Sequence, residues 1–191
     1  MPQWPRRWRA CAVNDERLRL FLALWPDAAV RRSLQAAARP AVEASGGRPV
    51  PAANYHLTLA FLGLQPSSNL DAIARAAAAQ ESFAGTLRLT RIGHFRGARV
   101  LWAGPERTPP RLARAAAGLR AALEANGVRF TPGPFRAHVT LARRIARVPD
   151  ASAIEAVPWR YDGIALVQSG GGRAPYRVLR KWPESGPGTM E

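Results

Sequence analysis

The sequence predicts an α+β fold made of a duplicated unit, and two observations support this prediction. The first is a repeated tetrapeptide, which reads His-Leu-Thr-Leu at residues 56–59 and His-Val-Thr-Leu at residues 138–141. The second is its setting, because Asp27 opens a helix-like segment 29 residues before the first histidine. Pro109 opens another such segment 29 residues before the second histidine. Strand, helix and histidine-bearing strand thus occur twice, which predicts two half-sites related by a pseudo-twofold axis and facing one cleft.

Each element of the first half has a local signal. Residues 18–24 form an apolar run that predicts a strand, and Asp27 is a suitable N-cap for the helix that follows. Pro40 is expected to kink or interrupt this helix. The first histidine-bearing strand is predicted over residues 55–62, and we expect it to stop at Gly63.

The later elements follow from similar signals. Asn69 is placed to cap a short helix, and the pair Pro109 and Pro110 to start a long one that ends at Gly127. A hairpin turn is expected in the glycine-containing stretch 93–97. The predicted helices are 70–80 and 109–126, and the predicted strands are 86–90, 100–103, 135–142, 163–168 and 176–181.

The length of 191 residues fits one domain with a real core. We expect a disordered leader over residues 1–16, a folded domain over 17–183 and a frayed tail over 184–191. No apolar run approaches the ~20 residues of a membrane-spanning helix, and no secretory signal is apparent, so a cytoplasmic protein is predicted. Cys11 is the only cysteine, which excludes an intrachain disulfide and a multi-cysteine metal site.

The chain is strongly basic. It carries 28 lysines and arginines against 13 acidic residues, for a net charge of +15. This balance favours a polyanionic partner, and arginine can grip phosphate with two parallel hydrogen bonds. Charge alone does not choose between RNA, DNA and an anionic metabolite.

The repeated pattern has a chemical meaning. In a strand, side chains two residues apart share a face and lie about 6.6 Å apart along the chain. Each copy therefore offers an imidazole and a hydroxyl on one face and two apolar anchors on the other. Two imidazoles across a cleft can serve as base and acid near neutral pH, as cleavage of a phosphodiester requires. Neither copy contains the acidic or cysteine ligands that a metal site would add, so we expect no metal and no other cofactor.

With these features the chain resembles the 2H phosphoesterase superfamily, which is marked by two His-x-Thr/Ser-x motifs. Within it the chain is similar to the bacterial and archaeal RNA 2′,3′-cyclic phosphodiesterases, once called 2′-5′ RNA ligases. The resemblance implies a bilobal, duplicated fold with two antiparallel sheets flanked by helices, and an active-site cleft between the lobes. It also implies metal-independent hydrolysis of a 2′,3′-cyclic phosphate to a 2′-phosphomonoester. The resembling segments are 17–26, 54–63, 93–104, 134–143 and 166–183.

The resemblance also implies a role for each site residue. His56 would protonate the leaving 3′ oxygen and His138 would activate water, although the residues alone leave open which histidine is acid and which is base. Thr58 and Thr140 would hydrogen-bond the phosphate oxygens. Arg143, five residues after the second histidine, would help to bind phosphate.

Two other functions remain open at this point. One is ATP-independent RNA ligation that forms 2′-5′ linkages, and the other is RNA binding without catalysis. Trp102 and Trp182 are candidates for base stacking, although aromatic residues in strands are more often core. His94 lacks a threonine two residues later and is interpreted as a surface or structural residue. The expected partners are RNA with 2′,3′-cyclic phosphate ends or cyclic nucleotides, with no membrane, and the protein is expected to be a monomer.

Overall fold

The computed structural model of the protein describes residues 16–80, 83–150, 152–170 and 175–183. The leader predicted over residues 1–16, apart from its last residue, lies outside the described residues, as do Cys11 and the tail predicted over 184–191. None of the helices in the described part has the length and apolar character needed to cross a bilayer.

The described residues form three α-helices and nine strands in an α+β arrangement. The helices are α1 (Ala28–Ala44), α2 (Leu70–Ala78) and α3 (Pro110–Ala125). The strands are β1 (Arg17–Leu24), β2 (Arg48–Pro49), β3 (Leu57–Pro66), β4 (Gly85–Phe95), β5 (Val100–Gly104), β6 (Val139–Arg143), β7 (Ala153–Tyr161), β8 (Ile164–Gln168) and β9 (Arg177–Trp182).

The described strands form one antiparallel sheet in the order β7-β4-β5-β6-β3-β1-β8-β9, with β2 beside β6. The family resemblance implies two sheets, whereas here the strand groups β7-β4-β5-β6 and β3-β1-β8-β9 are joined at one residue pair, Leu57 opposite Val139. Both strands begin at this pair and run in opposite directions, so they overlap only at their first residues. The join therefore lies directly beside both histidines.

The core lies on one side of this sheet, under the helices. Alternate residues of β1 are buried there, and α1 contributes Leu34, Ala38 and Ala41. The helix begins as predicted, because the Asp27 side chain accepts a hydrogen bond of 2.8 Å from the backbone N–H of Val30. Pro40 lies inside this helix, which continues past it to its end.

Several predicted boundaries are wrong. Strand β3 passes through Gly63, whose positive φ of 69° suits a residue without Cβ, instead of ending there. Strand β4 continues to its end at Phe95, so the hairpin turn falls later than predicted. The Asn69 side chain does not cap α2, because its amide donates to the Gln65 side chain at 2.9 Å.

Strand β7 is absent from the sequence prediction. It lies at one edge of the sheet and buries Val157, Trp159 and Tyr161 in alternation with exposed residues. Pro158 is one of these exposed residues, and a proline within a sequence segment argues against a central strand. An edge strand tolerates it, because one of its sides needs no hydrogen-bond donors.

Candidate active site

The two His-x-Thr patterns have the alternation that the sequence predicts. Four apolar residues have no exposed surface and belong to the core: Leu57, Leu59, Val139 and Leu141. Thr58 and Thr140 are partly exposed and lie on the other face of the sheet. The core therefore fixes which face carries the polar groups.

The pairing between β3 and β6 brings the two patterns together. Because Leu57 lies opposite Val139 in an antiparallel pair, the neighbouring positions place His56 across from Thr140. By the same register, Thr58 lies across from His138. Residues directly across such a pair have Cβ atoms about 4.5–5.5 Å apart. Since they are the candidate catalytic residues, we call these two histidines and two threonines the catalytic group.

The two imidazoles have the same tautomer, and each one is hydrogen-bonded to the backbone carbonyl oxygen two residues before it. Nδ1 of His56 lies 2.7 Å from the carbonyl oxygen of Asn54, and Nδ1 of His138 lies 2.8 Å from that of Arg136. A carbonyl oxygen only accepts, so each Nδ1 carries the hydrogen and donates it. Each Nε2 is then left as the atom that can take or give a proton during a reaction.

His56 sits among aromatic rings. Its ring centroid lies 4.6 Å from that of Phe21, 5.8 Å from that of Trp25 and 5.5 Å from that of Tyr176. Burial among these rings lowers the pKa of His56 to about 4, and the positive charges of Arg143 and His138 act in the same direction. The imidazole is therefore neutral near pH 7 in the free protein.

His138 has a corresponding setting in the other half of the sheet. Its ring meets the Phe95 ring edge-on at 5.0 Å, and the Trp102 ring lies 6.3 Å away. Burial lowers the pKa of His138, and the charges of Arg136 and Arg143 lower it further. This imidazole is also neutral at pH 7 and can accept a proton.

Both histidine-bearing strands contain a β-bulge at the same place. Strand β1 pairs with Thr58 and then with Ala60, so it skips Leu59. Strand β5 likewise pairs with Thr140 and then with Ala142, so it skips Leu141. In each strand the skipped leucine and the next alanine are both buried, which breaks the period of two.

The bulge determines on which face of the sheet the fifth residue after each histidine lies. Strict alternation would turn Arg143 away from His138, since the two are an odd number of residues apart. The bulge returns Arg143 to the histidine face, where its charge lowers the pKa of both histidines. In the other half the equivalent residue is Phe61, which is 44% exposed. All five residues predicted for the site thus lie on one face.

Phe61 is a candidate functional residue that the sequence reasoning missed. It lines a cavity of about 180 Å³ together with Thr58, His138, Phe135 and Arg136. The signal that could have found it is its distance from His56, which equals that of Arg143 from the second histidine. An exposed aromatic ring beside the catalytic group offers a surface on which a planar ligand can stack.

The two tryptophans considered for base stacking do not offer such a surface. Trp102 is 2% exposed and Trp182 is 8% exposed, so both are core residues. His94 lies on β4 and lines a separate cavity with Arg91 and Arg136, outside the catalytic group. Among the described residues, no three His, Cys, Asp or Glu side chains cluster closely enough to hold a metal ion.

The chain is similar to several known proteins along most of its length. The sequence model of the 2′-5′ RNA ligase superfamily matches residues 25–173. The RNA 2′,3′-cyclic phosphodiesterase of Escherichia coli strain K12 is 32% identical over 177 residues, which cover 88% of this chain and 97% of the relative. The protein of the same name from Thermus thermophilus is 37% identical over 166 residues, which cover 80% of this chain and 82% of the relative.

Solved structures extend this similarity to the fold. The crystal structure of E. coli LigT complexed with 3′-AMP matches with a TM-score of 0.77 and 30% sequence identity. The match covers 87% of this chain and 98% of that chain. Family match, sequence identity and fold agree, and the chain belongs to the 2′-5′ RNA ligase superfamily as a phosphodiesterase of the 2H phosphoesterase type.

Proposed function

We propose that the protein hydrolyses the 2′,3′-cyclic phosphate at the end of an RNA chain to a 2′-phosphomonoester. The observation that carries this proposal is the catalytic group, in which two imidazoles and two hydroxyls share one face across the join of the sheet. The names of the two relatives, both RNA 2′,3′-cyclic phosphodiesterases, support the same substrate. This activity also fits the net charge of +15, and we infer that the protein works in the cytoplasm.

The reaction needs one base and one acid. Water attacks phosphorus, and Nε2 of His138 takes a proton from that water as the new P–O bond forms. The bond from phosphorus to the 3′ oxygen breaks, and Nε2 of His56 gives its proton to that oxygen. The product carries a 2′-phosphate and a free 3′-hydroxyl, and proton exchange with solvent then restores both histidines.

The pKa values suit these roles once substrate is bound. His138 is neutral in the free protein, as a base must be. His56 needs a proton, and its pKa of about 4 in the free protein opposes this. The negative charge of a bound phosphate favours the protonated imidazole and raises that pKa. Substrate therefore helps to create the acid that its own leaving group requires.

The remaining groups stabilise the charge that develops on phosphorus. Thr58 and Thr140 lie across from the two imidazoles and can donate hydroxyl hydrogens to the non-bridging oxygens. Arg143 adds a fixed positive charge on the same face. Donors already aimed at developing negative charge supply a large part of many rate enhancements. The Phe61 ring, at the edge of the group, can stack on the terminal base.

RNA ligation is the second candidate, and the family description favours keeping it. A 5′-hydroxyl in place of water would give a 2′-5′ linkage through the same acid–base exchange. No Gly-x-x-x-x-Gly-Lys-Ser/Thr pattern occurs in the sequence, so this route is expected to be independent of ATP.

The test is to incubate the protein with 2′,3′-cyclic AMP and follow the product by phosphorus NMR, with and without EDTA. We expect 2′-AMP in both samples, since protons alone carry the proposed mechanism. Binding without turnover would instead support an RNA-binding protein. Loss of turnover in EDTA would contradict the metal-free step. A parallel sample with cyclic-phosphate RNA and 5′-hydroxyl RNA shows whether hydrolysis or ligation dominates.

A further inference from the structure

A second cavity, of about 410 Å³, adjoins the catalytic group on the His56 side. Trp25 belongs to both places, because its ring lies against the His56 ring and also lines the cavity. The Arg31 guanidinium lies 5.0 Å from the centre of the Trp25 ring and helps to hold it. The cavity therefore begins directly beside His56, the proposed acid.

The walls of this cavity come from the hairpin of β8 and β9. Its polar groups are Asp162, just before β8, and Lys181, the only lysine of the chain, on β9. Neither side chain forms an ion pair within the part of the chain that the structure describes. Gly163 keeps the wall closely packed, because a Cβ there would lie 2.2 Å from the carbonyl oxygen of Trp182.

The volume and the lining suit a nucleotide. Cavities that enclose small organic ligands are about 300–1,000 Å³ and combine apolar walls with a few polar groups. Here an indole supplies the apolar wall, an ammonium can pair with a phosphate, and a carboxylate can accept a hydrogen bond from a ribose hydroxyl.

The two cavities lie towards opposite ends of β3, because Leu24, next to Trp25, pairs with Leu57 at the start of the strand and Phe61 lies four residues further along it. The smaller one contains Phe61 and His138, and the larger one starts at Trp25, beyond His56. In a terminal ribose, the base leaves from C1′ and the 5′ chain from C4′, on opposite sides of the ring oxygen. A terminal base at Phe61 therefore directs the rest of the RNA chain towards Trp25.

We propose that the cavity between Trp25 and Lys181 binds the second nucleotide from the 3′ end of the RNA. The Lys181 ammonium pairs with the phosphate that joins the last two nucleotides, and Asp162 accepts a hydrogen bond from the second ribose. This proposal rests on the proposed function, because it assumes that the cyclic phosphate lies at the catalytic group. The protein accordingly prefers RNA ends to free cyclic mononucleotides as substrates.

The experiment compares a dinucleotide with a mononucleotide. Values of kcat/KM are measured for adenylyl-adenosine 2′,3′-cyclic phosphate and for 2′,3′-cyclic AMP, with the wild type, Lys181→Ala and the control Arg88→Ala. Arg88 is an exposed cation on β4, so the control removes the same charge elsewhere. We expect the wild type to prefer the dinucleotide roughly tenfold, Lys181→Ala to lose most of that preference, and the control to keep it.

A binding measurement separates this proposal from the proposed function. Dissociation constants for adenylyl-adenosine 3′-phosphate and for 3′-AMP are measured by calorimetry at several salt concentrations, which needs no turnover. Loss of one phosphate contact to a single strand should reduce the slope of log K against log salt by about 0.7 in Lys181→Ala, for the dinucleotide only. Equal wild-type affinity for the two ligands, or equal behaviour of the two variants, overturns the proposal even if hydrolysis is intact.

Discussion

Leu57 lies directly opposite Val139, and this pair joins the two halves of the described sheet. Both residues are completely buried, so the join is fixed from the core side. On the other side, the residues before and after this pair are the two histidines and the two threonines. The geometry of the catalytic group is thus set by backbone pairing rather than by flexible side chains.

Replacement of either histidine by alanine should abolish most of the activity while leaving the fold intact. We expect His56→Ala and His138→Ala each to lower kcat for 2′,3′-cyclic AMP by roughly 10²–10⁴-fold, the usual contribution of one acid or base. His94→Ala is the matched control, because His94 lies outside the catalytic group. Circular dichroism checks the fold, and near wild-type turnover in either variant would contradict the assignment.

The pH dependence should be displaced towards acid. The form with one protonated and one neutral imidazole is most abundant between the two pKa values of the free protein. The pKa of His56 is lowered to about 4 and that of His138 is lowered from 6.5, so kcat/KM should be greatest in a window that lies below pH 6.5. Above this window both imidazoles lose their protons and kcat/KM falls.

The kcat profile should peak at higher pH than that of kcat/KM, because bound phosphate raises the pKa of the acid. Steady-state kinetics across the acidic and neutral range measure both profiles. A kcat/KM optimum well above pH 7 would argue against the buried pair as the acid and base of the free protein.

Arg143 should affect both rate and pH dependence. We expect Arg143→Ala to lower kcat/KM by roughly 10- to 100-fold, as charge-assisted hydrogen bonds to phosphate are lost. Its removal also takes away a charge that lowers the pKa of both histidines, so the pH optimum should move upwards. Arg88→Ala should leave the optimum unchanged, and a pH profile of Arg143→Ala equal to the wild type would contradict this electrostatic role.

Phe61 should contribute to binding of the base rather than to the chemical step. Stacking on an aromatic side chain is worth about 1–3 kcal/mol per base. Phe61→Ala should therefore raise KM for 2′,3′-cyclic AMP roughly tenfold, with kcat little changed and with Phe61→Trp close to the wild type. Leu64→Ala is the control, because Leu64 is an exposed apolar residue of the same strand. If both alanine variants have the same KM, the ring has no such role.

Gly93 should be needed for the packing of Trp102, whose ring lies beside that of His138. A Cβ at this position would lie 2.1 Å from Cζ2 of Trp102, inside the core. Gly93→Ala should thus lower the free energy of unfolding by about 1–3 kcal/mol, as overpacking does. At Gly97 a Cβ meets nothing within 4 Å, so Gly97→Ala is the matched control in thermal denaturation. Equal melting temperatures of the two variants would show that Trp102 adjusts freely.

The alternation of side chains along a β-strand was enough to predict which face carries the histidines. Leu59 and Leu141 are buried as the alternation requires, and the strand, helix and strand order of both halves is present. The helix start at Asp27 also followed from the sequence, because capping depends on a few neighbouring residues.

Features that depend on a neighbouring strand could not be predicted in this way. A bulge exists only relative to the strand that skips a residue, so the face of Phe61 could not be inferred from its own strand. Strand β7 was missed because Pro158 is acceptable only at an edge, and edge position depends on the whole sheet.

The skipped leucines also show how the two halves of such a chain can be redesigned independently. Each bulge brings the fifth residue after its histidine, Arg143 in one half and Phe61 in the other, to the histidine face. One codon thus controls which side chain a ligand meets at the edge of the histidine face. A duplicated protein with a bulge in each half can change what it recognises without changing the residues that react.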